Sequence, residues 1–203
     1  NGSNDNSIDV IRELKDNDDK VKFISLSRNF GHQGGLFAGM MYASGEAVIT
    51  MDADLQHPPS LIPEMIKLWD QGYEVVNTSK NRNHMNGIKG AQVRLFYWLM
   101  SRISGIKLSF GQSDFRLIDR KALSTLLTMP EDRKFIRGLV NWIGFNQTSL
   151  KYSVSERLAG ESKFSYRSLF SFALDGILSF STLIDIHDYP GSNEIKILSD
   201  SVL

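Results

Sequence analysis

The chain has 203 residues, 41% hydrophobic and 23% charged, which supports a sizeable core and argues against wholesale disorder. Lysine plus arginine number 23 and aspartate plus glutamate 23, so the formal net charge is zero and no global basic field exists for nucleic acid. No cysteine is present, which excludes disulfide scaffolds, thiolate zinc sites and cysteine nucleophiles.

The opening residues Asn1 to Ser7 are polar and read as no signal peptide. Ser7 is a candidate cap for a first helix, in which Ile8, Ile11 and Leu14 follow at helical spacing. Val21 to Leu26 predicts a short strand. A turn with Gly31, Gly34 and Gly35 then leads to a helix over 34–43, ended by Ser44-Gly45. Those glycines lack the strand–turn–helix spacing of a dinucleotide fingerprint. Ala47 to Met51 predicts an apolar strand running into Asp52-Ala53-Asp54. Pro58-Pro59 stops it, Leu61 to Gln71 predicts an amphipathic helix, and Glu74 to Thr78 a buried strand. This alternation argues an α/β fold with a mainly parallel sheet covered by helices.

Lys80 to Gly90 is polar, and Ala91 to Ser104 predicts a bulky helix. A strand over Phe110 to Asp119, a helix over Lys121 to Thr128, a helix end at Leu139 to Trp142 and a strand over Thr148 to Val154 follow. Nothing repeats, and no low-complexity linker divides the chain, so one domain is expected over 1–182. Apolar runs such as Ile177 to Ile184 fall short of the roughly 20 residues of a membrane span. The bounds together predict a soluble, intracellular protein.

The strongest local signal is Asp52-Ala53-Asp54-Leu55-Gln56 at the end of an apolar strand. Open α/β sheets bind ligands outside the carboxyl ends of their strands. Two carboxylates and an amide oxygen at alternate positions are hard ligands suited to Mg²⁺ or Mn²⁺. The same acids at this place would also serve as caps of the next helix. An EF-hand is excluded, because loop position six is His57 and position twelve Pro63. His32 and His57 have no partner at zinc-site spacing and read as hydrogen-bonding surface groups.

The run Asp52 to Pro59 resembles the metal-binding Asp-X-Asp segment of inverting GT-A-fold glycosyltransferases, most closely the polyprenyl-phosphate branch. Asn1 to Ser7, Ser27 to Gln33, Phe110 to Arg120 and Arg157 to Lys163 resemble further blocks of that family in the same order. The family's first strand, first helix and second strand would precede Asn1, so the catalytic domain is expected to be N-terminally truncated. The polar tail 183–203 departs from relatives that continue toward transmembrane helices. Lys80 stands where the family usually carries arginine, and Arg82 nearby is one candidate to replace it.

The resemblance implies transfer of a hexose from a nucleotide sugar, UDP-linked as first choice, to a polyprenyl phosphate lipid at the cytoplasmic membrane face. Asp52, Asp54 and Gln56 would hold Mg²⁺ or Mn²⁺. Asp52, Lys80, Arg82, Arg94, Arg116, Arg157, Ser162 and Lys163 would bind substrate. Asp114 is the catalytic candidate, as a base for a hydroxyl acceptor or an orienter for a phosphate, which is already largely dianionic at neutral pH. A simple ion pair of Asp114 with Arg116 or Arg120 is the competing reading. Trp142 resembles the family's acceptor-site tryptophan and fits plain core equally well. Arg167 to Phe180 has one narrow polar stripe, Ser168, Ser171, Asp175 and Ser179, on an otherwise apolar helix. With Lys163 and Arg167 at its start, it suits a membrane interface, or failing that a core helix. A saccharide hydroxyl acceptor and an inactive nucleotide- or partner-binding remnant remain open alternatives, as does oligomerisation.

Overall fold

The computed structural model describes residues 1–80, 112–130 and 135–153. These fall into two compact units, 1–43 in one and 44–153 in the other.

In the first unit, α1 spans Ser7–Asn17 and α2 spans Gly31–Tyr42. Ser7 begins α1 rather than capping it; Asp5 Oδ1 accepts its N–H at 3.0 Å. Acids placed there complement the positive end of the helix. Gly31, at φ 76°, turns the chain into α2. Asn1 closes the same corner, its Oδ1 accepting Phe30 N–H at 2.9 Å and its Nδ2 donating to Gly31 O at 2.8 Å. The blocks at Asn1 and Ser27 to Gln33 therefore meet. Val21 to Leu26 is not a strand: only Leu26 forms an isolated bridge. Extended backbone becomes a strand only where a neighbour takes up its N–H and C=O groups, and among the described residues no ladder runs along this segment.

The second unit is a sheet with helices. Its strands are β1, Ala47–Thr50; β2, Val75–Lys80; β3, Gln112–Asp119; and β4, Gln147–Tyr152. A 3₁₀ turn at Pro59–Leu61 leads into α3, Ile62–Asp70, while α4 spans Arg120–Leu127 and α5 Ile136–Trp142. The strand order is β1-β3-β2-β4. β3 runs antiparallel to both neighbours and β2 parallel to β4, so β1, β2 and β4 share a direction. The α/β architecture is as expected, with a mixed sheet in place of a mainly parallel one. β3, Gln-Ser-Asp-Phe-Arg-Leu-Ile-Asp, is buried on both faces, and a strand's own residues do not state which way it runs beside its neighbours, so pattern alone does not reveal its reversal.

Side chains alternate along β3. Phe115 and Leu117 pack with Met65 of α3 and Val76 of β2 into a core cluster flanked by Ile62, Leu68 and Trp69. Asp114 and Arg116, one residue out of phase, face α5, whose Arg137 reaches Asp114. Asp119 ends β3 and caps α4 by accepting Lys121 N–H at 2.8 Å, and its other oxygen accepts Trp69 Nε1–H at 2.8 Å. Among the described residues, no helix is long and apolar enough to cross a membrane.

Candidate active site

The carboxyl ends of β1, β2 and β4 and the start of β3 come together at one rim of the sheet. β1 delivers Asp52 there, and β2 delivers Lys80. Asp52, Asp54 and Gln56 alternate with exposed Met51, Ala53 and Leu55, and each is half-buried. Asp54 Oδ1 accepts Gln56 N–H at 3.1 Å, which tightens the turn. Leu55 adopts φ 60°, left-handed geometry that a branched side chain adopts only under constraint. Lys80 Nζ donates to Gln56 Oε1 at 3.3 Å, so two candidates far apart in sequence do meet.

His57 departs from its expectation as a surface group and is buried at 3% exposure. Its Nδ1 accepts the Asp52 N–H at 3.1 Å, and its Nε2 lies 2.8 Å from Ser113 Oγ. The ring stacks on Phe115 at 5.2 Å and meets Tyr152 edge-on at 5.9 Å. Burial pushes the imidazole below its ordinary pKa, against the opposing pull of Asp52. Tyr152 OH lies 3.3 Å from Ser113 Oγ, and burial pushes that phenol above its ordinary value. His32, by contrast, is exposed as expected.

Asp114 is 2% exposed. Arg137 grips it in a two-point ion pair, Nε to Oδ1 at 2.9 Å and Nη2 to Oδ2 at 2.7 Å. Arg116 Nη2 adds a contact to Oδ1 at 3.2 Å and donates to Ser113 O at 2.8 Å. The ion-pair reading thus holds for Arg116 and not for Arg120, which donates instead to Gly45 O. Arg116 is fully buried, with Nε and Nη1 lacking hydrogen-bond partners. Desolvation lowers its pKa to about 10, opposed by Asp114. Among the described residues, two guanidiniums against one carboxylate leave the cluster net positive. Trp142 is 61% exposed, which removes the core reading for that ring.

The sequence gives no sign that Arg137, Ser113 and Tyr152 belong to the site, and His57 reads there as a surface group. His57 and Ser113 lie 56 positions apart, and Asp114 and Arg137 23 apart, so no local spacing signals either pair. Arg82, Arg94, Arg157, Ser162, Lys163 and the 167–180 helix lie outside the described residues.

The donor chemistry suits a hard divalent cation. Among the described residues no cluster of three His, Cys, Asp or Glu side chains could hold a metal alone. Mg²⁺ and Mn²⁺ sites in phosphate-handling proteins need only one or two carboxylates, the substrate's phosphates supplying the rest. Asp52 and Asp54 meet that requirement.

Residues 1–127 match the model of glycosyl transferase family 2. The chain belongs to this glycosyltransferase family. Among its family relatives, an uncharacterized glycosyltransferase of Bacillus subtilis, YkcC, is 45% identical over 181 residues, covering 89% of this chain and 56% of that protein. A prophage bactoprenol glucosyl transferase homolog of Escherichia coli is 37% identical over 182 residues, covering 89% of this chain and 60% of that protein. The bactoprenol glucosyl transferase of Shigella phage SfV is 38% identical, covering 89% and 59%. The chain spans less than two thirds of the length of these glycosyltransferases.

Proposed function

We propose that this family 2 glycosyltransferase moves a hexose, with inversion, from a UDP-sugar to a polyprenyl phosphate at the cytoplasmic face of the membrane. The observation that carries the reading is the acidic turn Asp52–Gln56, set at the rim beside Lys80. Similarity to bactoprenol glucosyl transferases supports the lipid acceptor.

Asp52, Asp54 and Gln56 would hold Mg²⁺ or Mn²⁺, which when bound neutralises the leaving diphosphate as a Lewis acid. Lys80 holds Gln56 by its amide oxygen and brings a cation to the same rim; Arg82, Arg94, Arg157, Ser162 and Lys163 are the remaining substrate-binding candidates from the sequence. On the opposite face, Arg116 and Arg137 give positive potential for an anionic acceptor group, with exposed Trp142 on the same short helix as Arg137.

The state of Asp114 favours a phosphate over a hydroxyl acceptor. A hydroxyl needs a base, and both Asp114 oxygens already accept guanidinium N–H groups. A phosphate monoester needs none. Asp114 then orients Arg116 and Arg137 instead of taking a proton.

The test is transfer of labelled glucose from UDP-glucose, in anionic vesicles carrying polyprenyl phosphate, with Mn²⁺ or EDTA. Label should move into the lipid phase only with the metal. Label passing instead to a soluble saccharide, or transfer undiminished in EDTA, contradicts the proposal.

A further inference from the structure

The turn that bears Asp52 and Asp54 is backed by buried His57, whose Nε2 also lies 3.7 Å from Asp52 Oδ2. Leu55, at the tip, is left-handed and 66% exposed, so its own packing does not fix the turn. Only two positions separate the two carboxylates, and their spread therefore follows the backbone torsions between them. Something must set those torsions.

Contacts from three strands converge on His57. The end of β1 supplies the Asp52 N–H at 3.1 Å, β3 supplies Ser113 Oγ at 2.8 Å and the Phe115 face, and β4 supplies the Tyr152 edge. An amide N–H only donates, so Nδ1 carries the lone pair and the proton belongs on Nε2, directed at Ser113 Oγ. Pro58 follows, and the residue before a proline is confined to extended backbone, which limits the ring's approach.

We propose that His57 is a positioning residue, tying the Asp52 backbone to β3 and β4 and so setting the separation of the Asp52 and Asp54 carboxylates. This rests on the reading that those carboxylates hold the cation and diphosphate. It assigns the histidine no contact with substrate. Ligands of a metal are commonly held by such outer partners, whose loss weakens binding even when the ligands remain.

His57→Asn and His57→Gln separate the two ring nitrogens. Asparagine places an oxygen where Nδ1 lies and keeps an acceptor for Asp52 N–H. Glutamine places an amide N–H where Nε2 lies, keeping Ser113 and abandoning Asp52. Two quantities are read on the whole chain: hydrogen exchange of the Asp52 amide, and Mn²⁺ affinity in the presence of UDP by paramagnetic resonance. His57→Gln should lose amide protection and bind Mn²⁺ about tenfold or more weakly, while His57→Asn keeps both near wild type.

If His57→Gln does not fold, Ser113→Ala replaces it. It removes the group that orients the ring, and the same two losses are expected. Equal Mn²⁺ affinity in wild type and in the folded variants, with Asp54→Ala losing it, overturns the proposal and leaves the metal reading standing. Undiminished Mn²⁺ affinity in Asp54→Ala overturns the metal reading and this proposal with it.

Discussion

Ser113 and Asp114 are neighbours on β3 that open on opposite faces of one sheet, and they bury polarity in opposite ways. On the Ser113 face the hydrogen bonds are neutral, running from Asp52 N–H through His57 to Ser113, with Tyr152 alongside and Phe115 beneath. The carboxylates of Asp52 and Asp54 stay half-exposed at the rim. On the Asp114 face the carboxylate is buried and committed to two guanidiniums, one of them with N–H groups left over. On the proposed reading, the neutral face keeps its acids for a ligand. The ionic face uses its acid to hold cations in place.

The two faces should fail differently. Asp114→Asn leaves Arg116 buried beside no carboxylate, and breaking such a pair costs about 3–5 kcal/mol. Denaturant melts should show that loss, so a fall in turnover for this variant is first a stability effect. A midpoint equal to wild type would mean the cluster is not stabilised as an ion pair.

Phe115→Leu probes the other face more gently. It keeps much of the apolar volume and removes the ring under His57, with an expected loss of about 0.5–1.5 kcal/mol beyond area burial. A loss matching that of Asp114→Asn would erase the contrast.

Acid pH separates the faces as well. His57 sits below its ordinary pKa of 6.5 when folded, so the unfolded chain takes up this proton first as pH falls. Stability from this group is complete above that value and is lost as pH falls through the lower folded value. Melting temperature should decline across that window, and less steeply in His57→Asn. Identical slopes would place the acid sensitivity elsewhere. Arg116, lowered only to about 10, does not titrate there.

Much of this framework was legible in local pattern. The apolar stretch before Asp52, the amphipathic stripe around Met65 and the run before Asp119 each matched an observed strand or helix within a few residues. The acidic turn was legible too, because its residues are contiguous. Val21 to Leu26 and the direction of β3 were not, since pairing depends on neighbours that a strand's own residues do not specify. For the same reason the burial of His57 was hidden. It follows from strand order, which brings Ser113 and Tyr152 beneath a loop whose own sequence looks exposed.

We propose that Asp52 and Asp54 are kept for a cation and a diphosphate. Calorimetric titration of UDP into wild type and Asp54→Ala, with and without Mn²⁺, tests it most directly. Stability should fall by about 0.5–1.5 kcal/mol, since the substitution removes the hydrogen bond from Gln56 N–H to Asp54 at a partly exposed turn. Mn²⁺-dependent binding is expected in wild type, and its loss in a variant that still melts cooperatively. Equal Mn²⁺-dependent affinity in both proteins would contradict it.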